Sequence, residues 1–148
     1  MNIRKGEKKD MKAVLDLIQE LAAFEKEPNA VEVSASDLER DGFGNYPLFH
    51  TFVAEVDEQI VGIALYYYRY STWKGKTVYL EDLLVTENFR KQGVGSGLLN
   101  MVLEHAKSIN CQRVSWQVLD WNESAINFYK KFNATFDSEW LNCFIELR

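Results

Sequence analysis

The sequence has few features that would crosslink a chain or anchor it in a membrane. It contains two cysteines and two prolines in 148 residues, and Cys111 and Cys143 lack the spacing of a metal site. We therefore predict no bound metal and interpret both cysteines as reduced, buried thiols of a cytoplasmic protein. The longest apolar run, from Ile60 to Tyr68, is far shorter than the roughly 20 residues that a membrane helix needs.

Positive charge is also scarce. The formal net charge is −5, and no run of Lys and Arg marks a nucleic-acid surface. Residues 1–60 carry 7 basic and 13 acidic side chains, and this acidic half favours cationic ligands. Met1 to Lys5 leads into a charged stretch without an apolar segment, so we expect no signal peptide. We therefore expect neither a membrane nor a nucleic acid as a partner, and we expect the protein not to be secreted.

Length and apolar content indicate one ordinary folded domain over residues 1–148. A chain of 148 residues with 47% hydrophobic residues can bury a core without disulfide or metal support. Periodicity predicts an α/β fold with a mixed, largely antiparallel, twisted sheet flanked by helices. The predicted helices cover Asp10–Phe24, Ser34–Gly42, Ser96–Ile109 and Glu123–Phe132. The predicted strands cover Ile3–Lys5, Thr51–Val56, Gln59–Tyr68, Thr77–Val85, Arg113–Leu119, Thr135–Trp140 and Asn142–Leu147.

The turn between the strand ending at Val85 and the next helix is rich in glycine. It contains Gly93, Gly95 and Gly97 and is preceded by Arg90 and Lys91. A helix start offers unpaired N–H groups and the positive end of the helix dipole, and glycine lets the backbone approach a ligand closely. The turn therefore predicts a phosphate or pyrophosphate site.

Two common nucleotide motifs do not fit this turn. The turn contains no Gly-Lys-Ser/Thr sequence, so it is not a P-loop, and its glycine spacing differs from the Gly-x-Gly-x-x-Gly dinucleotide fingerprint. The pattern Arg90-x-x-Gly93-x-Gly95 instead resembles the coenzyme A pyrophosphate loop of the GNAT acetyltransferase superfamily. In that superfamily a later helix carries a tyrosine near the thiol of coenzyme A, at Tyr129 here, and usually ends in glycine. Asn133 takes the glycine position, and asparagine also tolerates a left-handed helix stop.

Longer stretches are similar to one group within that superfamily. Tyr79–Val85, Asp41–Gly44, Trp121–Tyr129, Ala22–Glu25 and Trp73–Lys76 resemble the diamine (spermidine/spermine) N-acetyltransferases. The resemblance spans nearly the whole chain and implies a homodimer. It also implies acetyl transfer from acetyl-CoA to a primary amine of a small polyamine- or diamine-like substrate.

The resemblance assigns roles to individual positions. Tyr129 is expected as the acid and Glu81 as the general base, acting directly or through water. The residues expected to bind acetyl-CoA are Leu83, Leu84, Val85, Arg90, Lys91, Gln92, Gly93, Val94, Gly95, Ser96, Asn122, Ser124, Tyr129 and Lys130. The residues expected to line the amine site are Phe24, Glu25, Glu81, Asp82, Ser115, Trp116, Gln117, Glu139 and Trp140.

The sequence leaves one geometric problem and several alternatives open. Glu81 and Asp82 are neighbours on a predicted strand, so their side chains point to opposite faces unless the strand bends. His50 and His105 are the other candidate bases. The amine could belong to thialysine, a lysine-like amino acid or a protein, and Arg69 or Arg113 could then bind a substrate carboxylate. A non-catalytic acyl-CoA sensor and a simple interaction module remain as further alternatives.

Overall fold

The computed structural model describes residues 1–147, which fall into two units. The first, Met1–Gln117, contains a five-stranded sheet in the order β1-β2-β3-β4-β5. The first four strands pair antiparallel, and β5 joins β4 in parallel. The strands are β1 (Asn2–Lys5), β2 (His50–Val56), β3 (Gln59–Ser71), β4 (Gly75–Val85) and β5 (Val114–Ser115). The helices of this unit are α1 (Met11–Phe24), α2 (Ala35–Phe43) and α3 (Val94–Ser108).

The two faces of the sheet are covered by different helices. Val14 of α1 and Leu38 of α2 pack in one apolar cluster with Val53, Ile63 and Leu65 of the sheet. On the other face, His105 of α3 lies against the rings of Phe52 and Tyr66, with ring centroids 6.2 and 5.4 Å apart. Because side chains alternate along a strand, Tyr67 and Arg69 share the α1 face with Leu65, whereas Tyr66 and Tyr68 share the α3 face. These architectural features confirm the predicted α/β class.

The predicted start of α2 is confirmed, but its predicted end is wrong. Ser34 accepts a hydrogen bond from the backbone N–H of Asp37, and the Asp37 carboxylate accepts one from the Ser34 N–H. Gly42, predicted as the helix stop, is a buried residue inside α2, and Gly44 is the C-cap. A Cβ at Gly42 would lie 2.6 Å from the ring of Phe49, so this glycine permits close packing rather than ending the helix.

The closing pair of strands predicted at Thr135–Trp140 and Asn142–Leu147 is wrong. The structure assigns no strand among residues 116–147, and the predicted strand Arg113–Leu119 is reduced to the two residues of β5. The apolar residues of the tail do not by themselves make a strand, because a strand also needs a partner edge that satisfies its backbone hydrogen bonds. Five of them are 74–93% exposed: Trp140, Leu141, Phe144, Ile145 and Leu147. Cys143 is also exposed, which corrects the expectation of two buried thiols.

The second unit begins at Val118 and contains α4 (Glu123–Lys130). Asn122 caps this helix, because its side-chain oxygen accepts a hydrogen bond from the Ala125 N–H at 3.2 Å. Asn133 has φ +59°, which confirms the predicted left-handed helix stop. Within this unit, Phe128 packs against Tyr129 and Phe132, with ring centroids 5.4 and 5.2 Å apart.

The start of α1 depends on a buried ion pair with β1. Arg4 donates two hydrogen bonds to the Asp10 carboxylate, at 2.8 and 3.1 Å, and Asp10 is only 6% exposed. Asp10 also accepts a hydrogen bond from the Glu7 N–H at 2.7 Å. The hydrogen bonds from Arg4 are the main cause that holds the pKa of Asp10 below its usual range.

We predict that Arg4→Met lowers the free energy of unfolding by about 3 kcal/mol at pH 7, because it leaves Asp10 buried without a counter-ion. Urea denaturation measures the change. Arg40→Met is the matched control, since Arg40 pairs with Asp37 and Asp41 on the surface and its loss is expected to cost less than about 1 kcal/mol. Equal losses in the two variants would contradict the prediction.

Candidate active site

An irregularity in β4 places two consecutive carboxylates on one face of the sheet. Leu65 of β3 pairs with Asp82, and Tyr66 pairs with Leu80, so Glu81 is an extra residue without a partner on β3. Such a β-bulge re-aims side chains and breaks the strict alternation of a strand. Asp82 shares the α1 face with its partner Leu65. Glu81 reaches the same face, where the Tyr67 hydroxyl donates a hydrogen bond to its carboxylate at 2.9 Å. The bulge therefore resolves the geometric problem that the sequence posed.

A third carboxylate completes this acidic cluster, which comprises Glu25, Glu81 and Asp82. The pKa of Asp82 is raised to about 6. Burial is the largest cause, and the neighbouring charges of Glu81 and Glu25 contribute the rest. Glu25 follows the last residue of α1, and its own burial raises its pKa. The end of α1 and the bulge of β4 thus bring together an acidic cluster in which Asp82 has a pKa near neutrality.

Aromatic side chains extend the same face away from the acidic cluster. Tyr67 and Tyr79 are directly paired across β3 and β4, with ring centroids 5.5 Å apart. The guanidinium of Arg69 lies 4.6 Å from the centroid of the Tyr79 ring. Burial and the hydrogen bond to Glu81 raise the pKa of Tyr67 to about 12, so this hydroxyl remains protonated and acts as a donor. Alternation along the predicted strand could have identified Tyr67, which the sequence analysis missed.

The outer edge of β4 lies open beside this cluster. β5 pairs only with Val78 and Tyr79, so no strand among residues 1–147 pairs with the other edge of β4 from Leu80 to Val85. On the inner edge, Leu83, Leu84 and Val85 pair with Ala64, Ile63 and Gly62 of β3. An open edge presents backbone donors and acceptors to an extended ligand. Ser115 of β5 pairs with Tyr79 beside this opening, and Trp116 and Gln117 continue the chain from it.

The glycine turn leads into the first turn of a 15-residue helix. Gly93 has φ +83°, which favours glycine, and α3 begins at Val94, two residues before the predicted Ser96. The N–H groups of Val94, Gly95 and Ser96 precede the first helical hydrogen bond, which runs from Gly97 to the Gly93 carbonyl at 3.0 Å. These N–H groups lie at the positive end of the helix dipole, where the sequence predicts an anion site.

The basic residues of the turn have different surroundings. Arg90 donates a hydrogen bond to the Val85 carbonyl at 2.8 Å, lies 3.6 Å from a Glu20 carboxylate oxygen and sits over the ring of Phe24. Its guanidinium therefore connects the end of β4 to α1. Lys91 is exposed with φ +61°, and Gln92 donates to the Asn88 carbonyl at 3.2 Å. Lys91 is thus the basic side chain of the turn that extends into solvent.

The two histidines do not belong to the acidic cluster. His105 on α3 lies 2.7 Å from the Tyr68 hydroxyl, and the His50 ring contacts Tyr66 and Tyr68. Both tyrosines are on the α3 face of the sheet, opposite Glu81 and Asp82. Burial lowers the pKa of both histidines, so they are neutral at pH 7. Neither histidine is placed to accept a proton at the carboxylates.

The remaining predicted residues lie in the second unit. Tyr129 is 8% exposed on α4, and Ser124 and Lys130 are exposed on the same helix. The side chain of Asn122 caps α4. The Glu139 N–H donates to the Asp137 carboxylate at 3.0 Å, and Trp140 is 74% exposed. Among residues 1–147, no group of three His, Cys, Asp or Glu side chains is arranged to hold a metal ion, and no helix is long and apolar enough to cross a membrane.

The fold and the glycine turn place the protein among acyl-group transferases with a mixed α/β sheet. The chain belongs to the acetyltransferase (GNAT) family, whose sequence profile matches residues 14–134, and it is an acetyltransferase. It is 40% identical to a thialysine N-epsilon-acetyltransferase of Bos taurus over 96% of this chain and 89% of that protein. It is 41% identical to the human spermidine/spermine N(1)-acetyltransferase-like protein 1 over 89% of this chain and 20% of that protein.

A solved structure confirms the fold independently of these sequence relatives. An aminoglycoside acetyltransferase from an uncultured soil metagenomic sample, in complex with trehalose, superposes with a TM-score of 0.81. The alignment covers 99% of this chain and 96% of that chain at 22% sequence identity. This similarity confirms the predicted fold class.

The raised pKa of Asp82 predicts a cost in stability above pH 6. The folded pKa of about 6 exceeds the ordinary aspartate pKa of about 3.9, so the folded state loses stability relative to the unfolded state as the pH rises through this interval. Asp82→Asn removes the charge and is expected to raise the free energy of unfolding by about 2 kcal/mol at pH 7.5, with little change at pH 4. Urea denaturation at both pH values measures this. The exposed Asp120→Asn serves as control, and an equal gain for Asp82→Asn at both pH values would contradict the prediction.

Proposed function

We propose that the protein transfers the acetyl group of acetyl-CoA to a terminal primary amine of a small polyamine- or diamine-like molecule. The observation that carries this proposal is the acidic cluster of Glu25, Glu81 and Asp82 beside the open edge of β4. Carboxylates attract an ammonium group, and a carboxylate with a pKa near neutrality can also accept its proton. The names of the relatives, a thialysine N-epsilon-acetyltransferase and a spermidine/spermine N(1)-acetyltransferase-like protein, support a substrate with a terminal amine.

Two features of the first unit fit acetyl-CoA. The N–H groups at the start of α3, with Lys91 beside them, suit the pyrophosphate, and the open edge at Leu83–Val85 suits the amide groups of the pantetheine arm. Bound acetyl-CoA supplies a thioester carbonyl for attack and a thiolate that leaves. We propose that the N–H groups of the β4 edge polarise the carbonyl oxygen and that Asn122, Ser124 and Lys130 contact the cofactor. No metal takes part in this scheme.

The substrate must lose a proton before it can attack. A lysine-like amine has a pKa of about 10.4, so exposing its neutral form at pH 7 costs roughly 4.6 kcal/mol. Glu81 is the proposed base, acting directly or through water, with Tyr67 holding its carboxylate in place. The charge of Glu81 adds to the effect of burial in raising the pKa of the neighbouring Asp82. Phe24, Ser115, Trp116, Gln117, Glu139 and Trp140 are proposed to line the remainder of the amine site.

Attack of the amine on the thioester carbonyl gives a tetrahedral intermediate, and its collapse releases the thiolate of coenzyme A. The thiol has a pKa near ~8.5 and tyrosine near ~10, so the Tyr129 hydroxyl can donate a proton or hydrogen bond to the leaving sulfur. We propose this role for Tyr129, and we propose that both units act together as one acetyltransferase domain over residues 1–148. The family profile, which spans residues 14–134, supports the second point.

A homodimer in the cytoplasm completes the proposal. The exposed apolar side chains of the tail, including Trp140, Leu141 and Phe144, offer surface that a second copy can bury. Sedimentation velocity tests this point, and a monomer at micromolar concentration would contradict it.

The release of free thiol from acetyl-CoA, followed colorimetrically, tests the proposed function. Putrescine, spermidine, thialysine and lysine are the acceptor amines. Thiol release that depends on at least one of them is the expected result. Binding of acetyl-CoA without thiol release on any amine would contradict the proposal and favour a non-catalytic acyl-CoA sensor.

The raised pKa of Asp82 predicts the pH dependence of the rate. Because an ionised Asp82 attracts the ammonium group of the substrate, kcat/KM is expected to rise with pH through a pKa of about 6. Glu81→Gln removes the proposed base and is expected to lower kcat by roughly 10²- to 10⁴-fold. Asp82→Asn keeps the proposed base and is expected to abolish this rise. A Glu81→Gln enzyme with wild-type kcat and an unchanged pH profile would contradict the assignment.

A further inference from the structure

The α1 face of β3 and β4 carries opposite charges at its two ends. The acidic cluster lies at the bulge, and the hydrogen bond from Tyr67 to Glu81 connects it to the paired rings of Tyr67 and Tyr79. Beyond these rings the guanidinium of Arg69 lies 4.6 Å from the Tyr79 centroid. The positive charge of Arg69 also lowers the pKa of both tyrosines against the larger effect of burial, which places it within electrostatic reach of both rings.

Arg69 has no acidic partner among the described residues, unlike Arg4, Arg40 and Arg90. Within residues 1–147, the structure gives Arg69 a ring contact and no ion pair, and its side chain is exposed. Arg113 precedes β5 and is connected to the sheet through its carbonyl, which accepts from the Val78 N–H at 3.1 Å. Arg69 is therefore the arginine that presents an uncompensated guanidinium on the face of the acidic cluster.

The separation between the two charges matches a short amino acid. Arg69 leans over the Tyr67–Tyr79 pair, and the next pair on this face toward the bulge is Leu65–Asp82. Pairs two residues apart along a strand are about 7 Å apart. With bond lengths of ~1.5 Å, the extended side chain of lysine or ornithine spans a similar distance from its terminal amine to its carboxylate.

We propose that Arg69 is a specificity-determining residue that binds the carboxylate of an amino-acid substrate while the terminal amine of that substrate enters the acidic cluster. This inference rests on the proposed function and refines it from amines in general to amino acids with a terminal side-chain amine. A planar guanidinium pairs with a carboxylate through two parallel hydrogen bonds. A diamine of the same length would place an ammonium group against Arg69 and meet like-charge repulsion.

Substrate pairs that differ only in the carboxylate test this directly. Lysine and cadaverine form one pair, and ornithine and putrescine form the other. We expect the wild-type enzyme to show the higher kcat/KM for the amino acid of each pair. Arg69→Leu is expected to lower kcat/KM for lysine and ornithine by roughly 10- to 100-fold, mainly through KM, and to leave cadaverine and putrescine unchanged or improved. Arg69→Lys, which keeps the charge without the planar fork, is expected to recover part of the loss.

Lys76 offers a matched control. Its ammonium lies 4.2 Å from the centroid of the Tyr68 ring, so it makes the same kind of cation–ring contact on the opposite face of the sheet. Lys76→Met removes one positive charge and is expected to leave the lysine-to-cadaverine ratio of kcat/KM unchanged. The activity of each variant on cadaverine reports whether it is folded.

The possible outcomes distinguish failure of the proposed role of Arg69 from failure of the proposed function. Thiol release with cadaverine, together with an unchanged lysine-to-cadaverine ratio in Arg69→Leu, would overturn the role of Arg69 and leave the proposed function standing. A wild-type preference for cadaverine over lysine would do the same. No thiol release with any amine would overturn the proposed function and this inference with it.

Discussion

The chemistry of this protein depends on one extra residue in β4. A regular strand would direct Glu81 and Asp82 to opposite faces of the sheet. The bulge instead brings both carboxylates to the α1 face, where Tyr67 binds one and burial acts on the other. Without it, Glu81 would point away from Asp82 and Glu25, and the cluster would lose one of its three carboxylates. A local departure from strand geometry thus creates the electrostatic environment that an acetyltransferase needs to handle a cationic amine.

The acidic cluster has to serve two opposed demands. An ammonium group binds best to ionised carboxylates, yet those same charges hold its proton in place. Crowding the carboxylates into a partly buried cluster offers a solution, because burial, and then the charges of Glu81 and Glu25, raise the pKa of Asp82 and make it a better proton acceptor. The surrounding structure supports this crowding through the contacts that tie α1 to β4. Arg90 contributes by linking the Val85 carbonyl to Glu20 and Phe24 near the end of α1.

The sequence predicts best those features that are encoded within a few residues. The capping box of Ser34 and Asp37, the left-handed stop at Asn133 and the glycine turn before α3 are local patterns, and the structure confirms them. The bulge at Glu81 is not local, because it is defined by which residue of β3 faces which residue of β4. The sequence offers both Arg69 and Arg113 as residues that could bind a substrate carboxylate. Only the fold shows that Arg69 lies on the same face of the sheet as the acidic cluster.

The incorrect predictions have the same origin. Apolar residues after Thr135 indicated strands, although a strand forms only where its side chains alternate and a partner edge is available. Gly42 looks like a helix end in the sequence because glycine often ends helices. Its actual role, to leave room for the ring of Phe49, depends on a residue seven positions later that is adjacent only in the folded chain. The family relatives establish the enzyme class, whereas the roles proposed for Glu81, Asp82 and Arg69 rest on the geometry of α1, β3 and β4.

The titration of the Asp82 carboxyl group tests the central claim most directly. Carbon-detected NMR of the side-chain carboxyl groups, assigned through Asp82→Asn, follows this group from pH 3 to pH 8 in the wild-type protein and in Glu81→Gln. A bulge that holds both carboxylates on one buried face predicts a pKa of about 6 in the wild type and a lower pKa once Glu81 is neutral. A pKa near the ordinary aspartate value of about 3.9 in both proteins would contradict it.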